Sequence, residues 1–487
     1  MSQPGTRERP IGEPGARARS RDWSILALGA LVLLGVAARV LTMLAIEPGI
    51  FTYNDSIEYA STSAGDPFGA LFHPAGYPLF LDGVRALVST VPFTMAVQHV
   101  LGIVTALLLF FAVRRLGYRW AGLVPAAVVL LVGDQLSLEQ SLLSEVLFTV
   151  LFAGFLYAAI RTMGDRRPGL WAAVAGLLLA ASVTVRTAGL VLVPLFVLWL
   201  AFCPPRTRAT SVRRAAAGLA AALVVLLAYS AVSDKETGHF GVTKLSGWAL
   251  YARVAPFADC GQFSPPAGTR QLCETTPSWT RPGPDYYFWN PDAPAQRTLG
   301  APPAGNAKLA TFARRAVLHQ PVYYTKAVVA DMWRYFVPHS GPWRRGDFGT
   351  GFSLLDVTRR APLQEQQSER ELSKIYGEPV RIHRAAGLAE LQDYQDVARF
   401  HGPLLLACLL LGVAGAVVTA GAVRWALVLL TASSFLLMLV PAATMVYHAR
   451  YAVPSNGPLA AAGAIGLIAL VQKALAWRTR LPHGPGT

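Results

Sequence analysis

The sequence predicts an all-α integral membrane protein, a bundle of about ten transmembrane helices with a large loop-rich extracytoplasmic insertion. Three observations lead there. The 487 residues are 53% hydrophobic and only 15% charged, with a mean hydropathy of +0.40, whereas a water-soluble domain carries about a quarter charged residues. The deficit is concentrated in apolar runs of roughly 17 to 25 residues, enough to cross a hydrocarbon core about 30 Å thick. Basic residues gather in short clusters between alternate runs, the bias that marks cytoplasmic loops.

A net charge of +15 raises the question of nucleic acid. That function needs a basic face interleaved with polar or aromatic contact residues, and these arginines are instead dispersed between apolar runs, so nucleic acid is excluded as a partner. Residues 1–22 are rich in Arg, Pro and Gly and read as a disordered basic tail. The run at 23–46 is too long for a cleaved signal sequence and no small-residue cleavage site follows it, so it reads as a retained first helix.

Ten spans can be drawn, near residues 23–46, 92–113, 120–133, 141–160, 169–185, 187–203, 214–233, 400–421, 425–445 and 452–472. The Lys/Arg bias orients them. With both termini cytoplasmic, the inner segments hold Arg114, Arg115 and Arg119, then Arg161, Arg166 and Arg167, then Arg206, Arg208, Arg213 and Arg214, then Arg424, Lys473 and Arg478. The short outer segments hold chiefly Arg85, Arg186 and Arg450. The chain thus divides into a membrane core at 23–233 with a first outward loop at 47–91, an extracytoplasmic region at 234–399, C-terminal helices at 400–473 and a cytoplasmic tail at 474–487. Within the extracytoplasmic region, 306–336 has helical periodicity. It suits an amphipathic helix at the membrane interface or a surface helix packed on the outer loop.

Four cysteines are present. Cys203 and Cys408 fall near span ends and read as buried apolar residues. Cys260 and Cys273 share the large outward segment, an oxidising compartment in this topology, and are expected to form a disulfide. The nine histidines form no His-Glu-x-x-His or similar cluster, and neither a P-loop nor a dinucleotide fingerprint occurs.

The residues suited to chemistry lie in the outward segments. The first loop reads Tyr53-Asn54-Asp55-Ser56-Ile57-Glu58-Tyr59 and then His73-Pro74-Ala75-Gly76-Tyr77-Pro78. Asp55 and Glu58 share a face if the segment is helical, and a carboxylate just outside a span can serve as a general base. Capping or turn formation is the alternative for Asp55. Arg186 and Arg450 stand at outer span ends, where they suit either a phosphate clamp or snorkelling to headgroups. Glu145 opens the fourth span as a ligand of these arginines or as a first-turn acid complementing the helix dipole. Arg39, inside the first span, reads as snorkelling.

These segments resemble the GT-C superfamily of membrane glycosyltransferases, in particular bacterial relatives of dolichyl-phosphate-mannose-protein mannosyltransferases. The resemblance rests on the acidic first loop, on His73 to Pro78 as a His-Pro-Pro-Gly-Tyr-Pro-like segment with Ala75 in place of one proline, and on Ser144-Glu145 at a helix start. Arg186-Thr187-Ala188-Gly189 resembles the family's Arg-x-x-Gly, and Arg450-Tyr451 with Pro454 its Arg-Tyr-x-x-Pro. It covers the membrane core and leaves the large insertion unmatched. Many relatives carry two adjacent acids in the first loop; here Asn54 precedes Asp55, which leaves open whether Asp55 or Glu58 is the base.

The resemblance implies a GT-C-like bundle and an enzyme of the EC 2.4 class. Such an enzyme moves a sugar, with inversion, from a polyprenyl-phosphate donor to a polysaccharide, lipid or protein acceptor on the outer membrane face. Asp55, then Glu58, is the expected base. His73, Tyr77, Glu145, Arg186, His448, Arg450 and Tyr451 are the expected substrate contacts. No particular cofactor is implied, since arginine alone can serve a lipid monophosphate, and a divalent cation held by Asp55 and Glu58 through oxygen is the alternative. A lipid-linked-sugar flippase or transporter is the competing class, but transporters concentrate polar residues near the midplane. A non-catalytic envelope-assembly scaffold is a third.

Overall fold

What starts and stops each apolar run sets the helices of the bundle. The computed structural model of the chain describes residues 22–51, 53–204, 207–338, 362–385 and 387–479. The N-terminal tail up to residue 21, residues 339–361 of the insertion and the chain beyond Thr479 lie outside them. Helix α1 (Trp23–Ala45) begins where the Asp22 carboxylate accepts the Ser24 N–H at 3.2 Å, satisfying one of the orphan donors of a helix start. In the first loop follow α2 (Tyr53–Ala64) and α3 (Gly76–Leu87). Helix α4 (Val91–Arg115) is capped by Thr90 and ends on Arg114 and Arg115. Arg114 returns to Asp22 at 2.6 Å, so the start of α1 and the end of α4 share one end of the bundle, and the first loop lies at the other.

Next come α5 (Leu123–Leu131), α6 (Gly133–Glu139), α7 (Glu145–Arg161), α8 (Pro168–Val185), α9 (Leu192–Phe202) and α10 (Arg208–Thr237). The insertion carries α11 (Ser246–Val254), α12 (Pro284–Trp289), α13 (Pro294–Leu299), α14 (Asn306–His319), α15 (Pro321–Arg334), α16 (Pro362–Tyr376) and α17 (Leu388–Val397). The chain closes with α18 (Gly402–Val418), α19 (Gly421–Thr444) and α20 (Val453–Arg478).

The chain is a multi-pass membrane protein, but the count of spans differs from expectation. Among the described residues, seven helical stretches are long and apolar enough to cross a bilayer: Trp23–Ala45, Val91–Arg115, Pro168–Val185, Arg208–Thr237, Leu388–Val418 (α17 and α18 together), Gly421–Thr444 and Ala449–Arg478 (α20 with the 3₁₀ turn before it). The expected spans near 120–133, 141–160 and 187–203 are shorter. The first breaks at Val132, where the chain turns into extended backbone after the nine residues of α5, a rise of about 14 Å. The second loses its polar start, Ser141 to Ser144, to a turn, leaving the 17 residues of α7, a rise of about 26 Å. The third opens as a 3₁₀ turn at Thr187–Val191 before α9. Hydropathy registers apolar length but not where the axis bends.

Close approach of backbones holds the bundle together, as expected where apolar surface offers little driving force in lipid. A Cβ on Gly176 of α8 would lie 2.1 Å from the Gly218 carbonyl of α10, and one on Gly466 of α20 would lie 2.1 Å from the Leu411 carbonyl of α18. Both contacts demand glycine.

The insertion has a core of its own. Trp248, Tyr251, Tyr287, Phe288, Leu309 and Phe312 are buried together, with Leu71 and Phe72 of the first loop packed against them. The expected disulfide is present, Cys260 bonded to Cys273 with Cα atoms 5.8 Å apart. The stretch at 306–336 is two helices, divided where Gln320 precedes Pro321. α14 turns Leu309, Phe312 and Ala316 into this core, while α15 leaves Val322, Val329 and Trp333 exposed. A short antiparallel pairing, β1 (Ile46–Glu47) with β2 (His383–Arg384), ties the end of α1 to the insertion.

Arg39 does not snorkel. It is 3% exposed, and its guanidinium donates to the Gly35 and Leu130 carbonyls and to Glu139 Oε1 at 2.8 Å. Glu139 Oε2 meets His99 Nδ1 at 2.8 Å, and His99 Nε2 meets Gln140 Oε1 at 2.8 Å. Gly102 makes room for the carboxylate, since a Cβ there would lie 1.8 Å from Glu139 Oε1. Burying such a charge is costly unless every donor and acceptor is used, and here they are used.

Candidate active site

The site is assembled at the end of the bundle that bears the first loop. Helix α2 carries Asp55 and Glu58 three residues apart in its first two turns. Asp55 Oδ2 accepts from Arg450 Nη2 at 2.7 Å. Asp55 Oδ1 and Glu58 Oε2 stand 3.6 and 3.5 Å from His73 Nε2. Glu58 Oε1 accepts the Leu71 and Phe72 N–H groups at 3.0 and 3.3 Å, so Glu58 also fixes the loop that delivers His73.

Three further elements complete it. Arg450 lies in a 3₁₀ turn, Ala449–Ala452, capped by His448, whose side chain accepts the Arg450 N–H. Arg186 is the extended residue that ends α8. Glu145 opens α7 and is 1% exposed, with Arg186 Nη1 at 2.9 Å and Arg450 Nε at 3.4 Å from the same oxygen, Oε1. The Arg186 and Arg450 guanidinium carbons lie 5.2 and 5.5 Å from the Tyr451 ring centroid, within cation–π range. The side chains therefore form one row in which nitrogen groups alternate with carboxylates: Arg186, Glu145, Arg450, Asp55, His73, Glu58.

Electrostatics follow from this order. Burial alone would raise the Asp55 carboxyl; the Arg450 charge and the His73 contact outweigh it and hold the group well below the usual carboxylate range. Burial pushes the His448 imidazole well below its ordinary value, and the Arg450 charge adds to the effect. Burial lowers Arg186, but Glu145 more than restores it and leaves it raised. Two permanently cationic groups thus line one end of the row, with a masked carboxylate beside them.

Of the expected residues, Asp55, Glu58, His73, Glu145, Arg186, His448, Arg450 and Tyr451 gather here. Tyr77 does not join the charged row: it is fully buried and its hydroxyl donates to Gln98 Oε1 at 2.7 Å. Two participants escaped sequence reading. Tyr59 lies under the site, with its ring 4.4 Å from that of His73 and its hydroxyl 2.9 Å from Ser144 Oγ; its position four residues after Asp55, on the same helix face, was the available signal. Ser144 Oγ accepts from Arg186 Nη1 at 3.0 Å.

Among the described residues no group of three or more His, Cys, Asp or Glu side chains is placed to hold a metal ion, and the Arg450 guanidinium occupies Oδ2 of Asp55.

Neither a protein-family profile nor a curated protein matches the chain. Among solved structures it is similar to the oligosaccharyltransferase AglB from Archaeoglobus fulgidus, in complex with an inhibitory peptide and a dolichol-phosphate. That likeness has a TM-score of 0.44 at 12% identity, over 94% of this chain and 51% of that one. It is also similar to ArnT from Cupriavidus metallidurans bound to undecaprenyl phosphate, with a TM-score of 0.36 at 14% identity, over 92% of this chain and 79% of that one. The chain spans about half the length of the archaeal enzyme.

Proposed function

We propose that the chain is a GT-C-type glycosyltransferase that moves a sugar, with inversion, from a polyprenyl-phosphate donor to an acceptor hydroxyl on the outer face of the membrane. One observation carries the reading. Two arginines from separate span ends converge on Glu145 of α7, and one of them, Arg450, also pairs with Asp55 of the first loop, so two cations suited to a phosphate stand beside a carboxylate suited to a base.

The reaction needs a base for the acceptor proton and cations for the departing phosphate. Arg186 and Arg450 would bind the phosphate through charge-assisted hydrogen bonds, with Glu145 and Tyr451 fixing their planes. Asp55 takes the hydroxyl proton as the acceptor oxygen attacks the anomeric carbon. The carbon–oxygen bond to phosphate breaks, and its electron pair leaves with the polyprenyl phosphate. In the free arrangement Arg450 masks Asp55. A dianionic or monoanionic phosphate competes for that guanidinium, loosens the pair and restores the basicity of Asp55 when the donor is present.

The buried Arg39, Glu139 and His99 group is the one feature that would favour a transporter, because intramembrane charges often mark pathways. Its polar atoms bond to one another and to backbone carbonyls, which supports a brace. Reconstitution with polyprenyl-phosphate sugars tests the proposal: sugar transfer is expected, and Asp55→Asn should lower its rate by about 10²- to 10⁴-fold. Undiminished transfer by Asp55→Ala combined with Glu58→Ala would rule out the proposed base.

A further inference from the structure

The charged row joins two separate parts of the chain. Asp55, Glu58 and His73 belong to the first loop, while Glu145 and Arg186 belong to the start of α7 and the end of α8. Arg450 bridges the two halves, but the donor phosphate competes for that guanidinium, so the bridge loosens just when the spacing matters. Beneath the row lies a buried polar pair that the proposed chemistry leaves unused. Tyr77 of α3 and Gln98 of α4 are both fully buried, and the Tyr77 hydroxyl donates to Gln98 Oε1 at 2.7 Å. We infer that Tyr77 and Gln98 are positioning residues, which fix the spacing between the proposed base and the proposed phosphate clamp. The inference rests on the transferase reading and adds how its two halves are kept in register.

Gln98 uses its whole amide. Nε2 donates to the Glu139 and Ser141 carbonyls at 3.0 and 2.8 Å, and Oε1 accepts from Tyr77. With both donors and the acceptor engaged, the amide has one orientation, and it pins the turn that leads from α6 into α7. Both halves of the row hang on that turn. Ile50 pairs with it through backbone bonds to Gln140 and Leu142 at 2.7 and 3.1 Å. Ser56 Oγ donates to the Leu142 carbonyl at 3.0 Å, and the Tyr59 hydroxyl meets Ser144 Oγ at 2.9 Å. Helix α2, which carries Asp55, is thereby fastened to the turn. On the other half, Ser144 and Glu145 hold Arg186.

Tyr77 ties in the segment from His73 to Pro78. His73 Nε2 stands beside Asp55 and Glu58. Gly76 packs against α8, where a Cβ would lie 2.5 Å from the Thr184 carbonyl, two residues before Arg186. The Tyr77 ring meets the Tyr59 ring edge-on at 4.8 Å, and its hydroxyl reaches past that contact to Gln98. One hydrogen bond thus joins the segment delivering His73 to the turn delivering Glu145. A phenylalanine and a leucine would fill this space with no polar atoms to satisfy. What the hydroxyl and amide add is direction, and direction matters where reacting groups must meet, since a misplacement of about 1 Å can cost 10²-fold in rate.

Two variants of the full chain separate the hydroxyl from the packing. Tyr77→Phe keeps the ring against Tyr59 and leaves Gln98 on the turn, so the arginine side stays whole; Gln98→Leu releases the turn itself. Farnesyl phosphate is the binding probe. Transfer from farnesyl-phosphate mannose, glucose, galactose and arabinose is followed in membranes of the source cell, which hold the acceptor. Tyr77→Phe should lower kcat about tenfold while the Kd of farnesyl phosphate stays within about twofold of wild type. Gln98→Leu should lower kcat at least as far and also weaken farnesyl phosphate about tenfold. In Gln98→Leu, backbone amide exchange should quicken at 46–51 and 140–146, the paired segments, and stay unchanged in α18. A lower Tm with wild-type kcat in both variants would reduce the pair to packing and overturn the inference, and so would equal loss of probe affinity in both. If the wild type transfers none of these sugars, the transferase reading fails and exchange decides the positioning. Unchanged exchange at both segments then overturns it, and quickened exchange there upholds it.

Discussion

As the proposed base, Asp55 would be held in check by its own neighbour, and its pH behaviour should reveal this. Arg450 faces its Oδ2, His73 its Oδ1, and burial acts against both. Removing the cation removes the depression, so in Arg450→Gln the acid limb of kcat/KM should move to higher pH, toward the ordinary carboxylate value of about 4. In the wild type, kcat reports the donor complex and kcat/KM the free enzyme. The limb of kcat should therefore lie at the higher pH, because phosphate then shares the guanidinium; coincident limbs would refute the unmasking. His448 gives a second pH signature. Its imidazole is held well below 6.5 when folded, so only the unfolded chain takes up the proton as pH falls through about 6.5. Stability conferred by the neutral ring is complete above that value and declines below it until the folded pKa is reached. Thermal melts between pH 7.5 and 5 should show this slope in the wild type and a shallower one in His448→Gln.

Elements explain which of these residues could be read from the chain. Asp55, Glu58, Arg186 and Arg450 were legible because each sits at or just beyond the end of an apolar run, where a charge must have a reason. Tyr77 was misjudged because its motif neighbours face the site while its own ring turns inward to Gln98. Glu139 fell in a polar stretch that resembled a span end, and only tertiary packing of α1, α4 and α6 shows it as the centre of a brace. That brace is a stability element. Glu139→Gln leaves Arg39 buried without a countercharge and should cost about 3–5 kcal/mol, visible as a lower Tm. Gly102→Ala, which forces a Cβ against the same carboxylate, should lower Tm in the same direction. Replacing Arg39 and Glu139 together with Met and Leu should recover part of the loss; equal melting of all these variants would refute the brace.

At the scale of the whole molecule, sidedness joins the fold to the proposed chemistry. The charge bias assigns the end bearing Arg114, Arg161 and Arg166 to the cytoplasm, and the other end carries the site and a disulfide. A disulfide persists in an oxidising compartment, and closing a 13-residue separation contributes about 3 kcal/mol. The two lines of reasoning are independent, because one counts arginines and the other follows thiol chemistry. Both favour the site-bearing end as the outer one. Single cysteines can test it directly, since the native thiols are buried or bonded. Trp279, on the insertion, is 81% exposed, and Arg166 is exposed between α7 and α8. In intact cells a membrane-impermeant maleimide should label Trp279→Cys at once and Arg166→Cys only after permeabilisation. The reverse pattern would place the site in the cytoplasm, where a nucleotide sugar becomes the natural donor, and would overturn the polyprenyl-phosphate assignment together with the topology.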